Sequence, residues 1–296
     1  MSSTSPGASQ AAALDAPSRT FLADVWRRFR ATPGALVGAV IVLAIVLTAV
    51  LAPVLATHDP LAQDVALGAT PPSALHVFGT DKLGRDLFAR VAFGARISIR
   101  IGFVAVGLAI TVGTAIGVIA GYGGRRADAA LMAAMDLMLA FPSIILAIGI
   151  TTILGPSITN LMLAVGIVYV PQYARLARSS VLAVKEHEYV EAARAIGAPT
   201  AAILARHVLP NILTPLLVQA TLGIATAELE AAGLSYLGLG ARPPAPEWGA
   251  MLNDARDYWL GAPWALIVPG VSITVLVLGF NLLGDGLRDA LDPKTR

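Results

Sequence analysis

The 296-residue chain contains no cysteine. Disulfides and thiolate chemistry are therefore excluded, and because a multispan membrane protein needs no such staples, the absence says little about compartment. Charge is sparse as well. Only 14% of residues are Asp, Glu, Lys or Arg, and the formal net charge of +2 is too small to point to nucleic acid. The four histidines are scattered and form no obvious metal site, so none is assigned. No G-x-x-x-x-G-K-S/T stretch occurs, so the chain has no phosphate-cradling loop with which to bind ATP. Ser235 lies in Gly233-Leu234-Ser235-Tyr236-Leu237, which misses the hydrolase nucleophile elbow, and H-E-x-x-H is missing too. No catalytic residue is assigned.

Apolar sequence is what the chain has in excess. At 56% hydrophobic residues and a mean hydropathy of +0.72, it carries more apolar surface than one soluble domain buries. The bilayer is its natural solvent. Six stretches approach the roughly 20 apolar residues of a membrane helix, near 34–56, 99–121, 131–154, 158–176, 212–238 and 265–286. The expected fold class is thus all-α, with six transmembrane helices. The first stretch runs uncharged from Gly34 to Ala52 between Pro33 and Pro53. About thirty residues precede it, and it exceeds the ~7–15 residues of a signal-peptide core, which disfavours cleavage. Residues 1–18, rich in Ser, Ala, Gly and Pro, are expected to be a disordered tail. Phe21, Leu22, Val25, Trp26 and Phe29 recur at helical spacing opposite Asp24, Arg27 and Arg28, which predicts an interfacial amphipathic helix.

Six spans place both termini on one side, and the basic residues say which. Arg19, Arg27, Arg28, Arg30, Arg125, Arg126, Arg175, Arg178, Lys185, Arg194, Arg206, Arg288, Lys294 and Arg296 fall on that side. Lys82, Arg85, Arg90, Arg96, Arg100, Arg242 and Arg256 fall on the other. The positive-inside rule therefore puts both termini in the cytoplasm. In the first outside loop, Asp81/Arg85 and Asp86/Arg90 have the i, i+4 spacing of helix-surface ion pairs, with Thr80 as a candidate N-cap and Gly84 easing a bend. Trp248, Trp259 and Trp264 suit an interfacial belt. Gly113, Gly117 and Gly121, four residues apart, would let another helix approach closely.

A polar insert separates two of the apolar stretches. Glu188-Tyr189-Val190-Glu191-Ala192-Ala193-Arg194-Ala195-Ile196-Gly197 reads as a short helix with acid early and base late, ended by Gly197 and Pro199. A second helix is expected from Thr200 to Val208, broken at Pro210, with His207-Val208-Leu209-Pro210-Asn211 as its exit. Such a segment cannot lie in hydrocarbon, so it projects into water as a knob that a soluble partner can grip. Glu228 and Glu230 are the acidic pair of the span at 212–238, and an intramembrane carboxylate faces a water-filled path or a partner. At 1.5 Å per residue, Glu228 lies roughly 24 Å beyond Ile212, so simple solvation near the outer surface is the competing reading. Asn281 and Asp285 sit near the inner end of the last span.

Glu191-Ala192-Ala193, Gly197 and then Leu209-Pro210 resemble the EAA loop of bacterial ABC importer permeases, with His207 departing where that pattern favours an apolar residue. His76-Val77-Phe78-Gly79-Thr80-Asp81-Lys82-Leu83-Gly84-Arg85-Asp86, Leu234 to Gly240, Pro243-Pro244 with Trp248-Gly249, and Asn281 to Pro293 resemble the dipeptide/oligopeptide/nickel branch. Within it, the similarity is to the second permease subunit, which has an extra amino-terminal span and a short periplasmic loop. The resemblance implies a type I ABC importer permease fold in the inner membrane that translocates short peptides, or a related solute such as nickel, by alternating access. It implies ATPase coupling through Glu188, Tyr189, Glu191, Ala192, Ala193, Arg194, Gly197, His207, Leu209 and Pro210, and nominates Glu228, Glu230 and Asn281 for the translocation path. Implied partners are a homologous permease, two cytoplasmic ATPases that use ATP and Mg, and an extracytoplasmic binding protein. No cofactor is expected on this chain.

The domain boundaries follow as 1–33 for the tail and interfacial helix, 34–98 for the first span and outer loop, 99–286 for the core with a coupling loop at 185–210, and 287–296 for the cytoplasmic tail. An ion-gradient-driven secondary transporter is the alternative. Its expected marks, midplane ion ligands, broken helices and internal repeats, are not evident in the sequence. A purely structural scaffold is a third possibility that the spans alone leave open.

Overall fold

A computed structural model describes residues 21–291, and among them every regular element is helical apart from one isolated bridge between Thr80 and Asp86. The expected tail at 1–18, and the basic residues at 19, 294 and 296, lie outside the described residues. Helix α1 (Phe21–Ala31) forms where helical spacing predicts one, with Trp26 stacked on Phe29 at 5.9 Å. Pro33 then opens α2 (Pro33–Leu55) at a first-turn position, where a missing N–H costs nothing.

Burial in α2 is the reverse of a soluble helix. The buried positions are small, Ala35, Gly38, Ala49 and Ala52, while Val40, Val50 and Val54 point outward. Large residues outside and small ones at the helix contact are what hydrocarbon solvent favours. A Cβ on Gly38 would lie 2.8 Å from Leu282 of α11 (Trp264–Leu291), so the glycine sets how closely these two helices cross.

Helix α3 (Leu87–Tyr122) has 36 residues, about 54 Å at 1.5 Å per residue, and so outruns a hydrocarbon core of about 30 Å. Its glycine stripe does what the spacing predicts. A Cβ on Gly113 would sit 2.6 Å from Tyr173 and one on Gly121 2.8 Å from Val181, both on α6 (Ile158–Val184). Between these helices comes α4 (Arg125–Leu139), followed by α5 (Ser143–Leu154). Arg175 of α6 pairs with Asp136 of α4 at 2.5 Å, and Arg178 pairs with Asp128.

The expected span at 131–154 is not one rod. The chain turns by 90° at residues 140–142 between α4 and α5. Pro142 explains the break, since it disfavours helix at the residue before it and stands as the N-cap of α5. Among the described residues, four helices are long and apolar enough to cross a membrane, or five if the bent pair is one crossing. The stretch at 158–176 is helical but interrupted by Asn160, Gln172 and Arg175, and it does not join that set.

Beyond α6 lie α7 (Glu188–Ala195), α8 (Thr200–Ile203), a π-helical turn over Leu204–Val208 and α9 (Leu209–Tyr236). Here Pro210 does not break the helix as expected. It occupies the first turn of α9, and the π turn leads into it with helical backbone angles throughout. Helix α10 (Trp248–Ala255) and α11 complete the order.

Candidate coupling knob and buried polar path

The knob forms from local rules. Gly197 adopts φ of +78°, its N–H donates to the Arg194 carbonyl at 3.0 Å, and the Ala198 N–H donates to the Ala193 carbonyl at 3.1 Å. This pair of bonds is the Schellman close of a helix, and it needs a left-handed residue at that point. Val190 and Ala193 turn inward to join the core with Ile203 and Val208. Glu188, Glu191, Ala192, Arg194 and Ile196 stay exposed, Ile196 to 85%.

The unexpected residue in this loop, His207, has a structural place. Tyr189 lies between His187 at 5.4 Å and His207 at 5.9 Å, centroid to centroid, so three rings tie α7 to the π turn. The amide of Asn211 donates to the His207 carbonyl at 2.6 Å. Leu209 and Pro210 are exposed beside it. The nominated coupling residues thus lie along one contiguous segment, from α7 through the π turn to the first turn of α9. Sequence reasoning missed His187, whose aromatic spacing to Tyr189 was the available signal.

The nominated path residues are not gathered in this way. Glu228 is 0% exposed, and neither carboxylate oxygen has a hydrogen-bond partner. Ser98 of α3 is the neighbouring hydroxyl, yet its Oγ is also unpaired. A buried carboxylate without partners is costly, so it marks a place where something beyond packing is at stake. The solvated reading of Glu228 does not hold. Two residues along, Glu230 faces elsewhere and accepts a 2.7 Å bond from Ser143 at the start of α5, just after the helix break. Asn281, half-buried on α11, makes no side-chain hydrogen bond among the described residues.

A second polar centre joins the α2–α3 loop to the α9–α10–α11 end of the bundle. Asp86, not Thr80, caps α3 by accepting from the Ala89 N–H at 2.7 Å. Thr80 instead donates to the Gly68 carbonyl and accepts from the Thr70 N–H, closing the loop. Asp81 and Arg85 pair as the spacing predicts, at 2.6 Å, but buried and within a turn, with Asp254 3.3 Å from the same guanidinium. The predicted Asp86/Arg90 pair does not form. Arg90 Nε lies 3.6 Å from Asp81, and its Nη1 donates to the Pro60 and Pro244 carbonyls. Asp86 bonds His76 at 2.8 Å.

Two of the three tryptophans expected in an interfacial belt are ties within this centre. Trp248 donates to the Val91 carbonyl at 3.1 Å and Trp264 to the Thr80 carbonyl at 3.0 Å, while Trp259 is exposed. Glu247 caps α10 with both oxygens, each 2.8 Å from a backbone N–H, those of Gly249 and Ala250. Burial still pushes its carboxyl above the usual carboxylate range, although those two donors pull the other way.

Residues 113–296 match the family described as "Binding-protein-dependent transport system inner membrane component". The chain belongs to this family. Residues 20–72 of the permease further match "N-terminal TM domain of oligopeptide transport permease C". Dipeptide transport system permease protein DppC of Alkalihalophilus pseudofirmus is 55% identical over 225 residues, covering 76% of this chain and 74% of that protein. Di/tripeptide transport system permease protein DppC of Pseudomonas aeruginosa is 44% identical and covers 93% of each. Among solved structures, a chain of the inward-facing MetNI methionine ABC transporter superposes with a TM-score of 0.57 at 20% identity, covering 69% of this chain and 97% of that one, which shows a shared fold.

These matches are to ABC transporter permeases, which sets aside both the ion-gradient-driven alternative and the structural scaffold. The permease is a multi-pass inner-membrane component, not an enzyme, and it works within a transporter complex whose ATPase is a separate protein.

Proposed function

We propose that this permease carries short peptides inward across the cytoplasmic membrane, by alternating access driven through the knob at 188–210. The observation that carries the proposal is the knob's construction: an ordered, water-exposed pair of helices, packed on the core by Val190 and Ala193 and running into α9 with no intervening loop. Closure of a pair of cytoplasmic ATPases, which bind the ATP and Mg, pushes on Glu188, Glu191, Ala192 and Arg194. The push passes to α9 through Tyr189, His207 and the π turn.

In this reading α6 is a sixth crossing, and the bent α4–α5 pair is one. Both termini are then cytoplasmic, as the excess of basic residues on that side supports. The chain divides at 33, 98 and 286 as the sequence suggests. A homologous permease completes the path, and an extracytoplasmic binding protein delivers solute to the end built around Asp81, Arg85 and Trp248. Glu228, Glu230 and Asn281 are the polar groups offered to the route. Peptide is the cargo favoured by the named relatives, which are dipeptide and di/tripeptide permeases.

The test is reconstitution of the permease with its partners in proteoliposomes. Uptake of a labelled dipeptide should require ATP and the binding protein and should survive an ionophore. Uptake that an ionophore abolishes and that needs no ATP overturns the proposal.

A further inference from the structure

Two of the four histidines meet at the foot of the α2–α3 loop. His58 lies just past the end of α2, His76 is buried in the loop, and Asp86 is the cap of α3. One ligand atom from each of the three lies within 4.8 Å of the others. The imidazole rings are 4.8 Å apart, and both Nδ1 atoms converge on the same carboxylate oxygen, His76 at 2.8 Å and His58 at 3.9 Å from Asp86 Oδ2. The other oxygen, Oδ1, is committed to the Ala89 N–H. The carboxylate is therefore held in place with Oδ2 turned to the two rings.

We propose that His58, His76 and Asp86 bind a divalent transition-metal ion of the zinc class. Two imidazoles and one carboxylate form a donor set for Zn²⁺ and its first-row neighbours, whereas Mg²⁺ and Ca²⁺ demand oxygen ligands. Tetrahedral donors about 2.0–2.1 Å from a metal stand about 3.3–3.4 Å from one another. The 2.8 and 3.9 Å separations from Asp86 straddle that value and the three ligand atoms lie within 4.8 Å of one another, so drawing the rings together beside the carboxylate seats the ion. The histidine that must move is the freer one, since the His58 side chain is 33% exposed and its Nδ1 is otherwise held by the Thr57 hydroxyl at 3.0 Å. An open cleft of about 560 Å³, lined by Thr57, His58, Asp59 and Phe93, adjoins the site and leaves room for water as a fourth ligand.

Nothing in the transport reading requires this ion. Its consequence is structural: it joins the end of α2 to the start of α3 across the intervening loop, in a chain without cysteine to make a covalent staple. The bare site already has part of this link in the His76–Asp86 bond, and the metal adds the His58 arm.

The experiment uses the full-length permease, purified in detergent through a tag without histidines and stripped with a chelator. Zn²⁺ is titrated by calorimetry, with Mg²⁺ as control, into the wild type and His58→Ala. The wild type should bind one Zn²⁺ per chain and melt at a higher temperature with it. His58→Ala should bind at least tenfold more weakly and lose that rise in melting temperature, while its metal-free melting temperature stays that of the wild type. Absence of saturable Zn²⁺ binding in the wild type, or binding and a melting-temperature rise that His58→Ala leaves intact, reduces the cluster to a hydrogen-bonded His–Asp pair and overturns the proposal.

Discussion

Replacing Gly197 isolates the backbone of the knob from its contacts. The residue has φ of +78°, and a Cβ built there meets nothing within 4 Å, so steric collision cannot explain a loss of function. What remains is conformational cost. An L-residue held in the left-handed region loses about 1–2 kcal/mol. That lowers the ratio of capped to uncapped α7 by roughly 5–30-fold. Asn tolerates the region and should lose little, Ala should lose an intermediate amount, and the β-branched Val the most. If the cap holds α7 in the shape that receives the ATPase, ATP-dependent dipeptide uptake in proteoliposomes should fall in the order Gly, Asn, Ala, Val. Membrane content and melting temperature of the subunit should barely change, because the site is exposed and lies outside the bundle. Wild-type uptake by Gly197→Val, or equal loss by Gly197→Asn and Gly197→Val, refutes the reasoning.

Two further outcomes are expected. Because the native chain has no cysteine, Leu75→Cys and Ile196→Cys each supply a unique and exposed thiol, and an impermeant maleimide should label the first in intact cells but the second only after permeabilisation. The reverse pattern inverts the proposed orientation. Glu247 supplies a pH dependence: its raised carboxyl pKa means that the folded state holds a proton the unfolded state has released, so its stabilising contribution is full below the ordinary glutamate value and falls as pH rises above it. The melting temperature of wild type minus that of Glu247→Gln should therefore shrink with rising pH in that window, and a difference that grows contradicts the burial argument.

The all-helical class and most of the long apolar helices were legible because apolar runs are properties of contiguous sequence. The break between α4 and α5 was harder to read, since Pro171, Pro215 and Pro269 sit inside unbroken helices while Pro142 ends one. A proline alone does not say which. The capping of α3 posed the same kind of competition: Thr80 and Asp86 are both good cap residues, and the bridge between them turns 81–85 into a loop instead of a first helical turn. The closure of α7 was legible, because Schellman geometry and acid-to-base order act over a few residues, whereas the run through the π turn into α9 was not. The polar centre around Asp81 was not legible as a whole. Its members, Asp81, Arg85, Asp254 and Trp264, are brought together from positions more than 150 residues apart. The meeting of His58 with His76 likewise depends on how the loop folds back.

The π turn at 204–208 has a consequence for how this part of the gene can vary. A ring closed by i→i+5 bonds accommodates one backbone unit more than an α turn, so the surplus is absorbed locally instead of twisting everything upstream by about 100°. Deleting a single codon between Leu204 and Arg206 should therefore tighten the turn to ordinary α geometry with the faces on either side kept in phase. The same deletion a few codons later, inside α9, has no such slack to draw on and swings the whole lever around its axis.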